Sequence, residues 1–170
     1  YLAASVLLWS DHSPANLDSV MTRKAIFPGS FDPFTKGHED VVLRSLGLFD
    51  EIVIAIGHNS AKNRYFPLDL MVQKIEETFA HQPRISVAVF QGLTAHFARS
   101  IDAGFILRGL RNTTDFEYEN SISQANRMIY DGLETVFLIT SPSLSAIRST
   151  IVRDLHKYGG PVNDFLPYQL

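Results

Sequence analysis

The segment of residues 27–38, FPGSFDPFTKGH, combines residue types that suit phosphate chemistry. It has neither the glycine spacing of a P-loop nor that of a dinucleotide-binding loop. It does hold a glycine through which backbone N–H groups can approach an anion, the hydroxyl of Ser30, and Thr35 and His38 at a helix start. Because helix N-termini favour anions, the pattern predicts a phosphate cradle with one imidazole directed into it. A lone histidine beside a turn is also commonly a cap or a surface residue.

A second segment places two arginines at the end of a predicted strand. Residues 105–111, FILRGLR, set Arg108 and Arg111 around Gly109, and residues 115–119, DFEYE, open a helix. Guanidinium groups bind phosphate oxygens bidentately. The pair could instead neutralise only the acidic helix beside it. Its position favours the ligand role, because parallel sheets bind ligands beyond the carboxyl ends of their strands.

Two further basic positions follow strands. Lys62 comes after the second strand, where a lone lysine is more often solvated. Residues 141–150, SPSLSAIRST, lead to a hydroxyl-rich helix start, where Ser149 would be unremarkable as a plain N-cap. The cations that these loops could gather are Lys62, Arg108, Arg111 and Arg148. Such a site best matches transfer between phosphates, catalysed by positioning and charge stabilisation.

Composition limits the classes of function. The 170 residues carry 15 Lys and Arg against 18 Asp and Glu, a net charge of −3 that gives no general attraction to nucleic acid or to a membrane surface. The absence of cysteine excludes disulfides, thiolate nucleophiles and zinc–cysteine clusters, and it fits a cytoplasmic setting. The histidines are too scattered to predict a metal site, and no apolar run approaches the roughly 18 residues of a membrane span.

Alternating strands and helices must position these residues. Apolar, β-rich runs predict strands at residues 24–27, 51–57, 85–90, 105–108 and 135–140. Helical periodicity and boundary residues predict helices near residues 41–49, 68–79, 94–101, 115–129 and 149–158. The nearly continuous hydrophobicity of the strands indicates burial on both faces. The predicted fold class is α/β, a single doubly wound domain with a five-stranded parallel sheet.

We interpret residues 1–20 as an N-terminal appendage and residues 21–170 as the catalytic domain. The first nine residues are apolar and uncharged, and a polar, turn-rich stretch separates them from Met21. The alternative is a short native helix docked on the domain.

From residue 21 to about residue 167 the chain resembles the phosphopantetheine adenylyltransferases, Rossmann-like members of the nucleotidyltransferase superfamily marked by a T/H-x-G-H motif. The blocks that carry the resemblance are PGSFDP at 28–33 with TKGH at 35–38, Lys62, RGLR at 108–111 with DFEYE at 115–119, and IRSTIVR at 147–153. The TKGH block marks only the superfamily. The RGLR and DFEYE blocks are far more specific.

The resemblance implies adenylyl transfer from ATP to 4′-phosphopantetheine, giving dephospho-coenzyme A and pyrophosphate. The attack would be in line, without a covalent enzyme intermediate, and with Mg²⁺ carried by the substrate phosphates. The resemblance also implies a cytoplasmic enzyme of coenzyme A synthesis, a homohexamer, and coenzyme A as a feedback inhibitor.

The resemblance further implies roles for individual residues. The expected catalytic residues are His38, Lys62 and Arg108. Residues expected to bind phosphopantetheine are Ser30, Lys62, Thr94, Arg108 and Asn126. Residues expected to bind ATP are Ser30, Phe31, His38, Gly109, Leu110, Arg111, Glu119, Leu144, Ser145, Ala146, Ile147, Arg148, Ser149 and Thr150. The chain departs from the family pattern at Ser30, Thr94 and Arg148, and Arg148 could bind phosphate or point to solvent.

Overall fold

The computed structural model describes residues 22–61 and 63–170. The predicted appendage of residues 1–20 and the predicted catalytic residue Lys62 lie outside the described residues. Among the described helices, none combines the length and the apolar character needed to cross a membrane.

Five parallel strands form one sheet. They are β1 (Lys24–Gly29), β2 (Glu51–Gly57), β3 (Ile85–Phe90), β4 (Phe105–Leu110) and β5 (Glu134–Ile139). Their spatial order is β3-β2-β1-β4-β5, so the strand order reverses between β1 and β4. The predicted doubly wound α/β fold with a five-stranded parallel sheet is confirmed.

Five helices cover the sheet. They are α1 (Lys36–Ser45), α2 (Leu68–Thr78), α3 (Thr94–Ser100), α4 (Thr113–Ile129) and α5 (Ser149–Lys157). Helix α4 begins two residues before the predicted start, because the side chain of Asn112 caps it by accepting from the Asp115 N–H at 2.8 Å. Helix α5 begins at Ser149, but Arg148 rather than Ser149 occupies the N-cap position.

Both faces of the central strands β1 and β2 are buried, as their sequences predict. The same prediction is wrong for β5, because this strand lies at the edge of the sheet and Ile139 is 66% exposed. Ile54 and Leu107 pack with residues of α1 and α2 on one face. Val53 and Ile106, their neighbours along the strands, pack with residues of α3 on the other. Burial of such a side chain typically stabilises a fold by about 1.5–3 kcal/mol, so both faces of the central strands contribute to the stability of the fold.

Strands β1 and β4 are two residues longer than predicted. The prediction ends them before Pro28 and Gly109, because proline and glycine usually interrupt strands. The pairing of β1 with β4 ends at Ile26 and Ile106, whereas β1 stays paired with β2 as far as Gly29. Pro28 therefore needs no N–H on its β4 side. Beyond Ile106 the two central strands separate at the point where the strand order reverses, and ligands bind at such a point in open α/β sheets.

Candidate active site

A cleft of about 600 Å³ opens where β1 and β4 separate. Pro28 and Gly29 of β1 line it, together with Arg108 and Gly109 of β4. A smaller cavity of about 230 Å³ adjoins it, and both linings include Pro28, Gly29, Arg108 and Glu119. The two spaces therefore meet at Arg108 and Glu119.

Three helices begin at the large cleft. The first-turn residues that line it are Gly37 and His38 of α1, Thr114 and Asp115 of α4, and Ser149 and Thr150 of α5. Each helix N-terminus carries the equivalent of about half a positive charge and unpaired N–H groups. Their convergence makes the cleft suitable for a polyphosphate. The sequence predicts this role for α1 and α5, whereas the contribution of α4 was not predicted.

The ring of His38 is held at the start of α1. Its Nδ1 accepts a hydrogen bond from the Thr35 N–H at 2.9 Å, so a neutral ring carries its proton on Nε2. The ring packs against Phe31 and Phe34, with centroid distances of 5.1 and 5.3 Å. Nε2–H is thus the group left to donate to a bound oxygen. His38 closes the capping box and also lines the cleft, so its role as a cap is compatible with the predicted role at a bound phosphate.

Phe31 forms one wall of this histidine site. Its backbone has φ +43°, in the left-handed region, and its side chain is buried. The ring lies over Gly29, where an added Cβ would come within 2.7 Å of it. Gly29 is therefore needed to let the Phe31 ring pack beside His38, in addition to any approach of its backbone to an anion.

Desolvation lowers the pKa of His38 to about 4, and the nearby charges of Arg108 and Arg111 act in the same direction. The ring is therefore neutral at pH 7 and remains a hydrogen-bond donor through Nε2. A neutral donor of this kind needs no proton uptake at physiological pH.

We expect the His38 ring resonances to titrate with a midpoint near 4 rather than near 6.5, the usual value for histidine. The native state then binds fewer protons than the unfolded state between these two values. The contribution of His38 to the free energy of unfolding is therefore fully present above about pH 6.5, and it is lost as the pH falls toward 4. Removing a nearby charge with Arg111→Met should raise the midpoint. NMR titration of the free protein tests this. Arg127→Met, at an exposed position paired with Glu134, is the matched control.

Both predicted arginines bind carboxylates of α4. Arg108 donates from Nε to Glu119 Oε2 at 2.7 Å, from a second nitrogen to Glu119 Oε1, and from the third to the Pro28 carbonyl. Arg111 donates to Asp115 from Nε at 2.8 Å and from a second nitrogen at 3.2 Å. The neutralising role that the sequence leaves open is therefore present. Both arginines also line the cleft, so the ligand role is compatible with it.

Arg148 completes the cationic wall of the cleft. Arg148 lines the cleft and is also exposed to solvent, so the two alternatives for its side chain stay open. Arg111 is the main cause that lowers the pKa of Asp115, and Arg148 contributes. The described lining holds three arginines against two carboxylates, so its formal charge is 3 − 2 = +1 before the helix N-termini are counted.

The cytidylyltransferase-like family model matches residues 26–155. The phosphopantetheine adenylyltransferase of Cytophaga hutchinsonii is 61% identical over 150 residues, which cover 88% of this chain and 100% of that protein. The phosphopantetheine adenylyltransferase of Flavobacterium johnsoniae is 52% identical, over 85% of this chain and 95% of that protein. The chain belongs to the phosphopantetheine adenylyltransferase family. The predictions of this family and of a nucleotidyltransferase are confirmed.

Solved structures agree with the fold of this family. A Vibrio parahaemolyticus protein assigned as a nicotinate-nucleotide adenylyltransferase has a TM-score of 0.65 at 14% identity, over 86% of this chain and 87% of that one. A bifunctional NMN adenylyltransferase/ADP ribose pyrophosphatase from Francisella tularensis has a TM-score of 0.60 at 15% identity, over 87% of this chain and 46% of that longer one. These likenesses support the Rossmann-like nucleotidyltransferase fold.

The large cleft brings together most residues that the family resemblance predicts for ATP. Those that line it are Ser30, Phe31, His38, Gly109, Arg111, Glu119, Leu144, Ile147, Arg148, Ser149 and Thr150. Leu110, the last residue of β4, is buried. Ser145 donates to the Pro142 carbonyl at 2.9 Å within its own turn. Neither Leu110, Ser145 nor Ala146 belongs to the cleft lining. For all the residues expected to bind ATP, the contacts with the nucleotide stay predictions.

The smaller cavity brings together three of the four described residues predicted for phosphopantetheine. Thr94, Arg108 and Asn126 line it, and Asn126 is 9% exposed. Ser30 lines only the large cleft. Apolar side chains of Phe90, Ile106 and Ile122 form much of the remaining wall.

Sequence reasoning missed several cleft residues. They are Phe27, Pro28, Gly37, Val41, Thr114, Asp115, Tyr118 and Thr140. A signal for two of them is present in the sequence: Asp115 and Tyr118 lie three residues apart at the start of α4, so they share a helix face with Glu119. Thr140 follows the edge strand β5, and no comparable pattern indicates it.

Proposed function

We propose that the chain catalyses transfer of the adenylyl group from MgATP to 4′-phosphopantetheine, releasing pyrophosphate and forming dephospho-coenzyme A. The observation that carries the proposal is the meeting of two cavities at Arg108. One is a cationic cleft at three helix N-termini, and the other is a smaller cavity with apolar walls. This arrangement suits two phosphorylated substrates that approach end to end.

In this reaction an oxygen of the phosphopantetheine phosphate attacks the α-phosphorus of ATP. A new P–O bond forms as the bond to the pyrophosphate leaving group breaks, so the enzyme needs no nucleophile of its own. The protein contributes alignment of the two substrates and stabilisation of the developing negative charge.

His38 is placed to act on the transferring group. Its Nε2–H would donate to a non-bridging oxygen of the α-phosphate, and the Thr35 N–H fixes the ring for that purpose through Nδ1. A preorganised donor toward developing charge is typically worth about 10²–10³ in rate. The lowered pKa of His38 keeps this donor neutral at physiological pH, and the hydrogen bond to Nδ1 keeps it in one tautomer.

Arg108 would hold the attacking phosphate at the junction of the two cavities. A guanidinium has five N–H groups, and three donate to Glu119 and Pro28. The two remaining N–H groups can bind phosphate without breaking the pair with Glu119. Lys62, outside the described residues, is proposed as the second cation for the same phosphate.

Arg111, Arg148 and the N-terminus of α5 would hold the β- and γ-phosphates of ATP, the future pyrophosphate. The carboxylates of Asp115 and Glu119 are both paired with arginines. Among residues 22–61 and 63–170 no group of three potential metal ligands occurs. This donor set fits Mg²⁺ carried on phosphate oxygens, where it would neutralise part of their charge.

The smaller cavity would take the pantetheine arm. Phe90, Ile106 and Ile122 offer apolar surface to its methyl and methylene groups, while Thr94 and Asn126 offer partners for its amides. The homohexamer, inhibition by coenzyme A and the cytoplasmic location stay predictions that the family resemblance implies.

Pyrophosphate release tests the proposed function. Incubated with ATP and Mg²⁺, the protein is expected to release pyrophosphate with phosphopantetheine and not with nicotinamide mononucleotide. Pantetheine, which lacks the attacking phosphate, is the matched control and should give none. Faster release with nicotinamide mononucleotide would select another transferase of the superfamily, and release with neither acceptor would indicate a binding protein without activity.

A further inference from the structure

The hydroxyl of Tyr168 binds the backbone just before helix α1. It donates to the Phe34 carbonyl at 2.8 Å, across 134 positions of the chain. The Sδ of Met71 lies 3.6 Å from the same hydroxyl. A hydroxyl has one proton to donate, and the carbonyl oxygen at 2.8 Å is the stronger acceptor. Burial is the main cause that raises the pKa of Tyr168, so the hydroxyl keeps this proton at physiological pH.

The peptide unit that receives this hydrogen bond is also the one that holds His38. The carbonyl of Phe34 and the N–H of Thr35 belong to one planar peptide unit. That N–H donates to His38 Nδ1 at 2.9 Å, and the hydroxyl of Thr35 lies 3.1 Å from the same nitrogen. A continuous chain of hydrogen bonds therefore runs from the Tyr168 hydroxyl through one peptide unit to the imidazole ring.

The peptide unit in the middle of this chain is shielded from water. Phe34 is fully buried and Thr35 is 2% exposed. A hydrogen bond in such surroundings is electrostatically stronger than one in water, and hydrogen bonds linked through one polar group polarise each other. Donation to the Phe34 carbonyl therefore fixes the plane of the peptide unit and makes the Thr35 N–H a stronger donor toward Nδ1.

Tyr168 is itself held by two groups of apolar side chains. Its ring packs against the core cluster that includes Phe34, and also against the cluster of Val152, Val162 and Leu166. Val152 belongs to α5, whose first turn lines the large cleft. These contacts restrict the ring, so its hydroxyl needs little ordering to reach the carbonyl.

We propose that Tyr168 is a positioning residue for the reaction: its hydroxyl orients the peptide unit of Phe34 and Thr35, and this unit fixes the orientation and the tautomer of the His38 ring. The effect on the rate rests on the proposed function, in which Nε2–H of His38 donates to the α-phosphate. Tyr168 lies outside both cavity linings, so it acts through His38 and not by contact with a substrate.

Tyr168→Phe tests the proposal, because it removes the hydroxyl and keeps the ring. We expect kcat to fall by roughly 3- to 30-fold, since a misplacement of about 1 Å can cost about 10²-fold and one lost hydrogen bond moves the His38 ring by less. Both KM values should stay nearly unchanged, because His38 acts on the transition state. In a His38→Ala background, Tyr168→Phe should cause little further loss. Losses that multiply in the double variant would leave Tyr168 with a structural role only.

NMR of the His38 ring nitrogens gives a readout that lower stability alone does not change. At neutral pH, Nδ1 of the unaltered protein should have the chemical shift of an unprotonated acceptor and Nε2 that of a protonated donor. In Tyr168→Phe the two shifts should move toward each other, because the weaker bond to Nδ1 allows the second tautomer. Equal spectra of the two proteins would refute the proposal. So would a proton on Nδ1 in the unaltered protein, a result that does not depend on how the variant folds.

Two control variants separate this effect from general ones. Tyr65→Phe also removes a hydroxyl that has a partner, His156 Nδ1 at 2.9 Å, but this pair has no link to the His38 ring. Met71→Leu removes the other neighbour of the Tyr168 hydroxyl and keeps the carbonyl acceptor. Both variants should leave kcat and the ring nitrogens of His38 unchanged. A loss of kcat in either control equal to that in Tyr168→Phe would contradict a specific role of the bond to the carbonyl.

Failure of the proposed function gives a different result. If the unaltered protein released no pyrophosphate with phosphopantetheine, the function would be wrong, but the ring nitrogens of His38 would still respond to Tyr168→Phe. If it released pyrophosphate and His38→Ala were equally active, the function would stand and a role of Tyr168 in the reaction would be refuted.

Discussion

Replacing His38 by alanine is expected to lower kcat by about 10²–10³-fold while ATP still binds. The reason is that the Nε2–H donor acts on charge that develops at the α-phosphate as the reaction proceeds, so its loss affects the transition state more than the bound substrate. Steady-state kinetics with both substrates, combined with calorimetric titration of ATP, measure the two effects separately.

Alanine at residue 38 also removes the Nδ1 acceptor of the Thr35 N–H. Loss of such a cap typically costs about 0.5–2 kcal/mol of stability. His38→Asn separates the two roles, since Oδ1 of asparagine can replace Nδ1 as the acceptor while the distal donor is missing. We expect this variant to be as slow as His38→Ala with thermal stability closer to that of the unaltered protein.

His96→Ala is the control for general effects of losing a histidine, because His96 lies exposed on α3 and outside both cavity linings. Turnover near that of the unaltered protein in both His38 variants would leave this residue as a helix cap only.

The sequence predicts much of the fold because its signals are local. Runs such as residues 52–56, IVIAI, identify buried strands wherever they lie in the chain. Ligands bind beyond the carboxyl ends of the strands in parallel sheets. The sequence therefore also predicts that Arg108 and His38 lie at that end of the sheet. Both predictions required only neighbouring residues and a general property of parallel sheets.

Other features of the site depend on pairings between distant residues. Asp32 binds the backbone of Tyr65 and Phe66, and the Arg153 side chain reaches the Asp32 carbonyl across 121 positions. Nothing in the local sequence indicates these partners. The separation of β1 from β4 after Ile26 is of the same kind, because it involves residues that lie 80 positions apart, as in the hydrogen bond from the Arg108 side chain to the Pro28 carbonyl.

The roles of the arginines lie between these cases. The sequence shows that Arg111 and Asp115 are close, as an i, i+4 pair, and it raises the question whether the arginines serve the protein or a ligand. In the structure, the arginine side chains that form these ion pairs also line the cleft. An arginine held by a carboxylate keeps its position before the phosphate arrives, so less of its side-chain freedom is lost on binding.

We expect the second large effect in Arg108→Met, because Arg108 pairs with Glu119 and is proposed to bind the acceptor phosphate. The variant leaves Glu119, whose side chain is 12% exposed, without its partner. Breaking a buried pair from one side costs about 3–5 kcal/mol, and the 28% exposure of the Arg108 side chain points to the lower end. Loss of charge-assisted bonds to the acceptor phosphate should also lower kcat/KM for phosphopantetheine by roughly 10- to 150-fold. Thermal unfolding and kinetics measure the two losses independently.

The double variant Arg108→Met with Glu119→Met distinguishes the two roles. Two apolar side chains can replace a buried ion pair with little loss of stability, so the free energy of unfolding should return toward that of the unaltered protein. Activity should not return, because no guanidinium is left at the junction of the two cavities. Glu119→Met alone is the control, since it keeps Arg108 and should use phosphopantetheine better than the double variant. If activity recovered together with stability, Arg108 would be only the counter-ion of α4, and another group would have to hold the attacking phosphate.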